Sequence, residues 1–283
     1  MTEPTSPADA RLDVALVARG LARSRGQAAD LVARGAVTVA GRPASKVSLR
    51  VRADEEILVE GDDARLVSRA AHKLQGAFTT FGPQGWQVTS ARCLDLGACT
   101  GGFTQVLLEQ GATEVLALDV GHDQLDPEIA ADPRVVDLSG TTVRGLVPAD
   151  IDGRVDRVVA DLSFISLRLA LPAVRDCLDG AGEAMLLVKP QFEVGRARLG
   201  KHGVVTDPRA RADALHGVLT DAAELGLGVL GIAQSPIAGG VGNVEYLLWL
   251  SARADVGMPW QAQLEQVAAL TGTRTRTDTK GAR

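Results

Sequence analysis

The sequence is poor in the residues that build covalent or metal frameworks. Its three cysteines, Cys93, Cys99 and Cys177, are odd in number, never spaced C-x-x-C and set among apolar neighbours, so they read as reduced thiols and not as a disulfide framework. The four histidines, His72, His122, His202 and His216, are scattered without H-x-x-x-H spacing or a cysteine partner, which argues against a metal site. No apolar run approaches the ~18 residues of a membrane span, and the opening MTEPTSPADA lacks the basic and apolar regions of a secretion signal. Together these absences point to a cytoplasmic protein. What is present, 283 residues of which 46% are hydrophobic and 23% charged, suffices for one large domain and a small one.

The net charge of −5 hides an uneven distribution. Residues 11–52 carry eight arginines and one lysine against Asp13 and Asp30, a local excess of +7 that leaves the remainder at −12. One end of the chain therefore seeks a polyanion. Within that stretch, Leu12, Leu16 and Val17 mark a short amphipathic helix stopped by Gly20. Ser24 then caps a second helix, with Gln27 at the reciprocal capping-box position and Ala28, Leu31 and Val32 on the apolar face. Gly35 ends it, and Val37 and Val39 alternate as a strand before a turn at Gly41. Arg23 and Arg25 flank the second helix's N-terminus, where unpaired amides already favour phosphate.

The R-L-D start, the G-L-x-x-S-R junction and the G-x-V-x-V-x-G strand together closely resemble the small αL RNA-binding fold. That resemblance implies recognition of structured RNA, with Arg11, Arg23, Arg25 and Lys46 at the matching contact positions.

After the polar EGDDARLVS, the helix SRAAHKLQGAFTTFG places Ala70, Leu74, Ala77, Phe78 and Phe81 on one face. From there strands and helices alternate through ARCLDLG, TEVLALDV, RVVDL, DRVVADLSF, AMLLVKPQF, GVLGIAQSPI and VEYLLWL, with a helix at about 102–110 and a long one near 207–225. Such alternation predicts an α/β fold, a mostly parallel, Rossmann-like sheet of seven strands, behind the small N-terminal α+β domain. Expected boundaries are a disordered start (1–10), the small domain (11–60), a linker (61–67), the large domain (68–255), and a short helix with a disordered basic tail (256–283).

Ligands of open α/β sheets bind beyond the carboxyl ends of the strands. There the chain reads CLDLGACTGGFT, with Asp95 at the strand end and the spacing Gly97-x-x-x-Gly101-Gly102, which is not the G-x-G-x-x-G of a dinucleotide site. The next strand ends in Asp119, 22 residues beyond Gly97, where a carboxylate can accept both hydrogens of a ribose diol. A ligand with a ribose and no pyrophosphate fits, namely S-adenosylmethionine. Four further residues stand at the ends of sheet elements: Lys189 ending the strand LLVK, Asp161 ending VVAD, Glu245 within VEYLLWL, and Lys73 on the helix before the first strand. Each alone reads as an ordinary surface or pairing residue. As two cations and two anions they can neutralise one another in one site, an expensive arrangement unless it serves chemistry.

The order Lys, Asp, Lys, Glu resembles the tetrad of FtsJ-like ribose 2′-O-methyltransferases. With the αL domain in front, the chain from about 11 to 252 resembles the TlyA family of ribosomal RNA cytidine 2′-O-methyltransferases, some of whose members were labelled hemolysins. The stretches carrying this are SRAAHKL, DLGACTGGFT, ALDVG, DLSFISL, LLVKPQFE and the segment from Gly239 to Leu247. The resemblance implies cofactor contacts from Asp95, Gly97, Ala98, Cys99, Thr100, Gly101, Gly102, Phe103, Asp119, Val120 and Asp137, and adds Arg69 to the RNA-binding set. It also implies ribosomal RNA or assembled subunits as partner, and a monomer. In the expected reaction Lys189 takes the ribose hydroxyl proton, Asp161 orients it, and Lys73 and Glu245 complete the network. The basic loop QFEVGRARLGKHGVV, with Arg196, Arg198 and Lys201, is placed to grip RNA or close over the site. A noncatalytic ribosome-assembly factor and a membrane-active hemolysin are the alternatives; the complete tetrad argues against the first, and the missing span and acidic bulk against the second.

Overall fold

A computed structural model describes residues 9–33, 35–59 and 66–273, and the chain divides into two compact units, residues 1–69 and 70–283. The expected disordered start, most of the linker and the basic end of the tail lie largely outside the described residues.

The small unit runs β1 (Ala10–Arg11), α1 (Leu12–Ala18), α2 (Arg25–Ala33), β2 (Val37–Val39), β3 (Arg42–Pro43), β4 (Arg50–Val51) and β5 (Ile57–Val59). A three-stranded sheet orders β3-β2-β5, and β1 pairs with β4. Leu12, Leu16, Ala28, Leu31 and Val37 are fully buried between the two helices and the sheet. Ser24 Oγ accepts the Gln27 N–H (3.1 Å), as a capping residue should. The reciprocal arm differs from a standard capping box: Gln27 Oε1 accepts from the Arg23 N–H (2.6 Å), one residue before the cap.

Asp13 organises the charge of this unit. Its carboxylate is 4% exposed and accepts from Arg11 Nε (3.0 Å) and from both Nε and Nη2 of Arg25 (3.0 and 2.7 Å). These bonds to the Arg11 and Arg25 guanidinium groups hold its pKa down at about 2. A single buried anion thus fixes two arginines whose outer faces remain exposed.

The large unit contains α3 (Ala71–Phe81), β6 (Arg92–Leu96), α4 (Gly102–Glu109), β7 (Glu114–Asp119), α5 (Pro127–Ala130), β8 (Val135–Ser139), β9 (Val155–Ala160), α6 (Leu171–Cys177), β10 (Leu178–Val188), α7 (Pro190–Glu193), α8 (Pro208–Glu224), β11 (Gly228–Gln234), β12 (Tyr246–Ser251) and α9 (Trp260–Thr271). Its seven-stranded sheet orders β11-β12-β10-β9-β6-β7-β8. The five strands from β10 to β8 are parallel; β12 runs antiparallel to both β10 and β11.

Side chains alternate across the sheet, so each strand feeds two layers. Leu94, Leu116, Val158, Leu186 and Leu248 join Leu171, Leu215 and Val267 in the core under α6, α8 and α9. The opposite register faces α3 and α4, where Phe81 meets Trp249 at 5.6 Å. On α3 the buried residues are Ala71, Lys73, Leu74, Ala77 and Phe81, whereas Ala70 stands at the N-cap and Phe78 is half-buried against Trp86. Among the described residues no helix is long and apolar enough to cross a membrane.

Because the Asp13 carboxylate titrates near 2 in the folded unit and near 4 when unfolded, its stabilising effect is complete above pH 4 and fades as the pH falls toward 2. Asp13→Asn is therefore expected to lower the thermal midpoint of the small unit at pH 7. The deficit should stay constant down to about pH 5 and close below pH 4; melting followed by circular dichroism checks this, and a deficit independent of pH would exclude the carboxylate's charge as its cause.

Candidate active site

The strand register explains how four distant residues meet. Asp161 and Lys189 directly follow β9 and β10, Glu245 directly precedes β12, and all three continue the alternation that faces α3. Since β12 is antiparallel, its beginning lies beside the end of β10: Val188 pairs with Tyr246. Glu245 is thus not inside the strand, as its apolar neighbours suggest, but at its threshold on the carboxyl edge. Lys73 is supplied by α3, whose Gly76 lies so close to Pro236 that a Cβ would sit 2.4 Å from the ring. Instead of a solvated helix lysine, it is 5% exposed.

The four charges form one chain. Lys189 Nζ lies 2.7 Å from Asp161 Oδ1; Lys73 Nζ lies 3.2 and 3.1 Å from the two Asp161 oxygens and 2.8 Å from Glu245 Oε2. Burial pushes the Asp161 carboxyl up in pKa, but the Lys73 and Lys189 ammonium groups outweigh this and hold it below the ordinary value. Two residues that sequence reasoning passed over extend the chain at its ends: Ser163 Oγ accepts from Lys189 Nζ (2.8 Å), and Gln191 Nε2 donates to Glu245 Oε1 (3.1 Å). Gly239 leaves room for the Glu245 carboxylate, which a Cβ there would approach to 2.5 Å. Buried Asn243 ties this turn to the basic loop, accepting the Val205 N–H and donating to the Gly203 carbonyl.

Beside the tetrad, the glycine-rich turn closes over the ends of β6 and β7. Gly97 and Gly101 have φ of 86° and 90°, open to glycine at little cost, and Cys99 also has positive φ (49°). A Cβ on Gly97 would lie 3.1 Å from the Asp161 carbonyl oxygen, so the turn and the tetrad pack against each other. Asp119 accepts the Cys99 N–H (2.9 Å) and the Gly121 N–H (2.8 Å). Val120, next in line, is 68% exposed. Asp95 is wholly buried; Thr104 Oγ1 donates to its Oδ2 (2.7 Å), while Oδ1 is buried without a partner. Asp137 lies two residues before the end of β8, exposed and accepting from the Ser139 N–H (2.9 Å) and Oγ (2.5 Å), and Ser139 pairs with Asp119 across the sheet.

The arginines are distributed more widely. Arg11 and Arg25 share Asp13, while Arg23 and Lys46 are exposed on the small unit, to which Arg69 also belongs. On the large unit Arg196 and Lys201 are exposed, and Arg198 is paired with Asp213 at 2.8 Å.

A seven-stranded sheet of this order, with a glycine turn after its first strand and a charged site at its carboxyl edge, defines an α/β methyltransferase. The chain belongs to the FtsJ-like methyltransferase family, whose model matches residues 66–252, and within it to the TlyA group that carries an S4 domain, matched here over residues 10–57. It is 51% identical over 247 residues to the 16S/23S rRNA (cytidine-2′-O)-methyltransferase TlyA of Mycobacterium tuberculosis, a match covering 87% of this chain and 91% of that one. Hemolysin A of Brachyspira hyodysenteriae is 35% identical over 84% of this chain and 98% of its own. A solved structure from Streptococcus thermophilus, described as a candidate hemolysin, superposes with a TM-score of 0.73 at 34% identity over 93% of this chain and 96% of that one.

Burial raises the Asp95 pKa to about 7 against an unfolded value near 4. The unfolded chain loses this proton first, so Asp95 supports folding below pH 4 and its contribution is lost as the pH rises toward 7 and beyond. Asp95→Asn should therefore gain stability relative to the parent between pH 5 and pH 8, by up to several kcal/mol at ~1.4 kcal/mol per pKa unit. Denaturant melts at the two pH values measure this, and an unchanged difference would show that Asp95 ionises normally in the fold.

Proposed function

We propose that the protein transfers a methyl group from S-adenosylmethionine to the ribose 2′-hydroxyl of cytidine in ribosomal RNA. The observation that carries this reading is the neutral, buried Lys73–Asp161–Lys189–Glu245 network at the carboxyl edge of the sheet, against the glycine turn. An arrangement of four desolvated ions costs folding free energy and is retained where the charges have work to do.

The residues present suit the cofactor. Asp95 offers a buried oxygen without a partner to an ammonium group, Asp119 retains a second lone pair on each oxygen for ribose hydroxyls, and exposed Val120 offers an apolar surface to a base. Glycine backbone at 97 and 101 permits close approach of a ligand. When bound, S-adenosylmethionine supplies a methyl group already activated by its sulfonium. The protein's tasks are then to hold the ribose hydroxyl in line and to remove its proton.

Lys189 takes that proton. Its ammonium group is fixed by Asp161 and Ser163, and the neutral amine retains both partners within reach. Lys73 keeps Asp161 and Glu245 in place whatever the state of Lys189. Phe164, 93% exposed and 5.6 Å from the Phe192 ring, forms an apolar surface at the mouth of the site on which a base can stack. The arginines and Lys46 of the small unit supply affinity for the RNA backbone, which should weaken steeply with salt.

Substitution at Lys189 tests the assignment. Arginine keeps the positive charge and cannot give up its proton, so Lys189→Arg and Lys189→Ala should both bind cofactor and RNA within a few fold of the parent yet lose ~10²-fold or more in single-turnover methyl transfer. Labelled cofactor with each purified ribosomal subunit and nucleoside analysis provide the readout; near-parental turnover by the arginine variant would make Lys189 an electrostatic anchor instead of the base.

A further inference from the structure

The β9–β10 ladder ends at the pair Ala160–Leu186. Past it, the two segments that hold the chemistry leave the sheet. One, residues 161–167, carries Asp161, Ser163 and Phe164; the other, Lys189 with α7, carries Lys189, Gln191 and Phe192. Lys189 joins them at the inner end through Asp161 and Ser163. Glu193 joins them at the outer end: its carboxylate accepts Ser166 Oγ (2.5 Å) and the Leu167 N–H (2.7 Å). Bonds to an ionised acceptor are the stronger kind.

The first segment needs such a fastening, for it is strained. Phe164 has φ of +64°, a left-handed conformation that an aromatic residue rarely adopts, and its side chain is 93% exposed, so its own burial cannot hold it there. A residue persists in that region only when its surroundings over-determine it. Downstream, Ser166 and Leu167 open a short 3-10 turn whose Arg168 is held by Asp221 of α8 through two bonds of 2.6 and 2.7 Å. Upstream, Asp161 is fixed by two lysines. Between these anchors, Lys189 reaches the segment at Ser163 and Glu193 reaches it at Ser166 and Leu167.

We propose that Glu193 is a positioning residue for methyl transfer: by clamping Ser166 and Leu167 to α7 it holds the strained segment so that Ser163 meets Lys189 and Phe164 stands beside Phe192. The Glu193 bonds run to Ser166 and Leu167, and it acts on the site through Ser163. The inference rests on the tetrad being the methyl-transfer site and goes beyond it in assigning a residue outside the tetrad to the rate.

Glutamine at 193 can satisfy the same two groups, its carbonyl accepting the Leu167 N–H and its amide donating to Ser166 Oγ; alanine can satisfy neither. In single-turnover assays of the full-length protein with saturating labelled cofactor and ribosomal subunits, Glu193→Gln should stay within about threefold of the parent. Glu193→Ala should lose roughly 10- to 100-fold, the scale of a misplaced reacting group, with cofactor and RNA affinities within about twofold. In a Ser163→Ala background the further loss on adding Glu193→Ala should shrink to about threefold or less, because the two act as one unit. A merely structural role predicts the opposite: a lower melting point with an unchanged rate per folded molecule, or an equal loss in both backgrounds, and either would overturn the proposal. Should Glu193→Ala fail to fold, Ser166→Ala cuts the same clamp from the other side and is judged by the same cycle. A parent that methylates no subunit overturns the proposed function; an active parent with an equally active Glu193→Ala overturns this inference alone.

Discussion

The site is organised around one carboxylate held between two ammonium groups. Without Asp161, Lys73 and Lys189 would face each other across a buried space and repel; with it, each cation has an anion within 3.2 Å, and Glu245 balances the remaining charge. The four ions come from α3, the end of β9, the end of β10 and the start of β12, so the network also joins four elements at one edge. Its neutrality has a chemical consequence. Removing any one of the four would leave an uncompensated charge in a buried pocket, so each ion depends on the other three.

Topology makes that network possible. A wholly parallel sheet would bring only strand ends to the ligand edge, and each functional residue would need its own βα loop. Reversing β12 lets Glu245 enter from the opposite chain direction, directly beside Lys189, across a strand pair that is buried and hence fixed in register. A slip of one residue in that pair would turn Glu245 toward the α8 layer and Tyr246 toward α3. The tyrosine, wholly buried among Leu186 and Leu248, therefore fixes the position of Glu245 through its packing alone.

Much of this was legible in the sequence because strand patterning and glycine spacing are local signals. The seven strands, the glycine turn, Asp95 and Asp119 stand where alternation and turn chemistry put them. What could not be read is set by contacts distant in sequence. Lys73 lies amid a helix whose polar spacing marks it as solvent-facing, and the packing of α3 onto the sheet edge, against Asp161 and Glu245, buries it. Glu245 sits in an apolar run that conceals where the strand begins. The basic stretch reads as uniformly available positive charge, whereas Asp13 binds Arg11 and Arg25, and Arg19 is engaged by the backbone carbonyls of Arg52, Ala53 and Glu55.

The two sides of the active site are built to different degrees of rigidity, which accords with what each must bind. On the cofactor side, Asp119 fastens Cys99 and Gly121, the Gly97 and Ala98 N–H groups bond the Leu118 carbonyl, and Thr104 orients Asp95, so the turn is shaped before any ligand enters. Prior ordering of this kind lowers the cost of binding a small molecule with several rotatable bonds. The side proposed for RNA presents exposed Phe164, together with exposed Arg196 and Lys201 on a loop held by Asn243 and by the Arg198–Asp213 pair. An RNA substrate brings its own fold, and adaptable side chains can follow its backbone as long as the reacting hydroxyl meets a fixed base. Rigidity is required only where the methyl group moves, and the buried ion network provides it there.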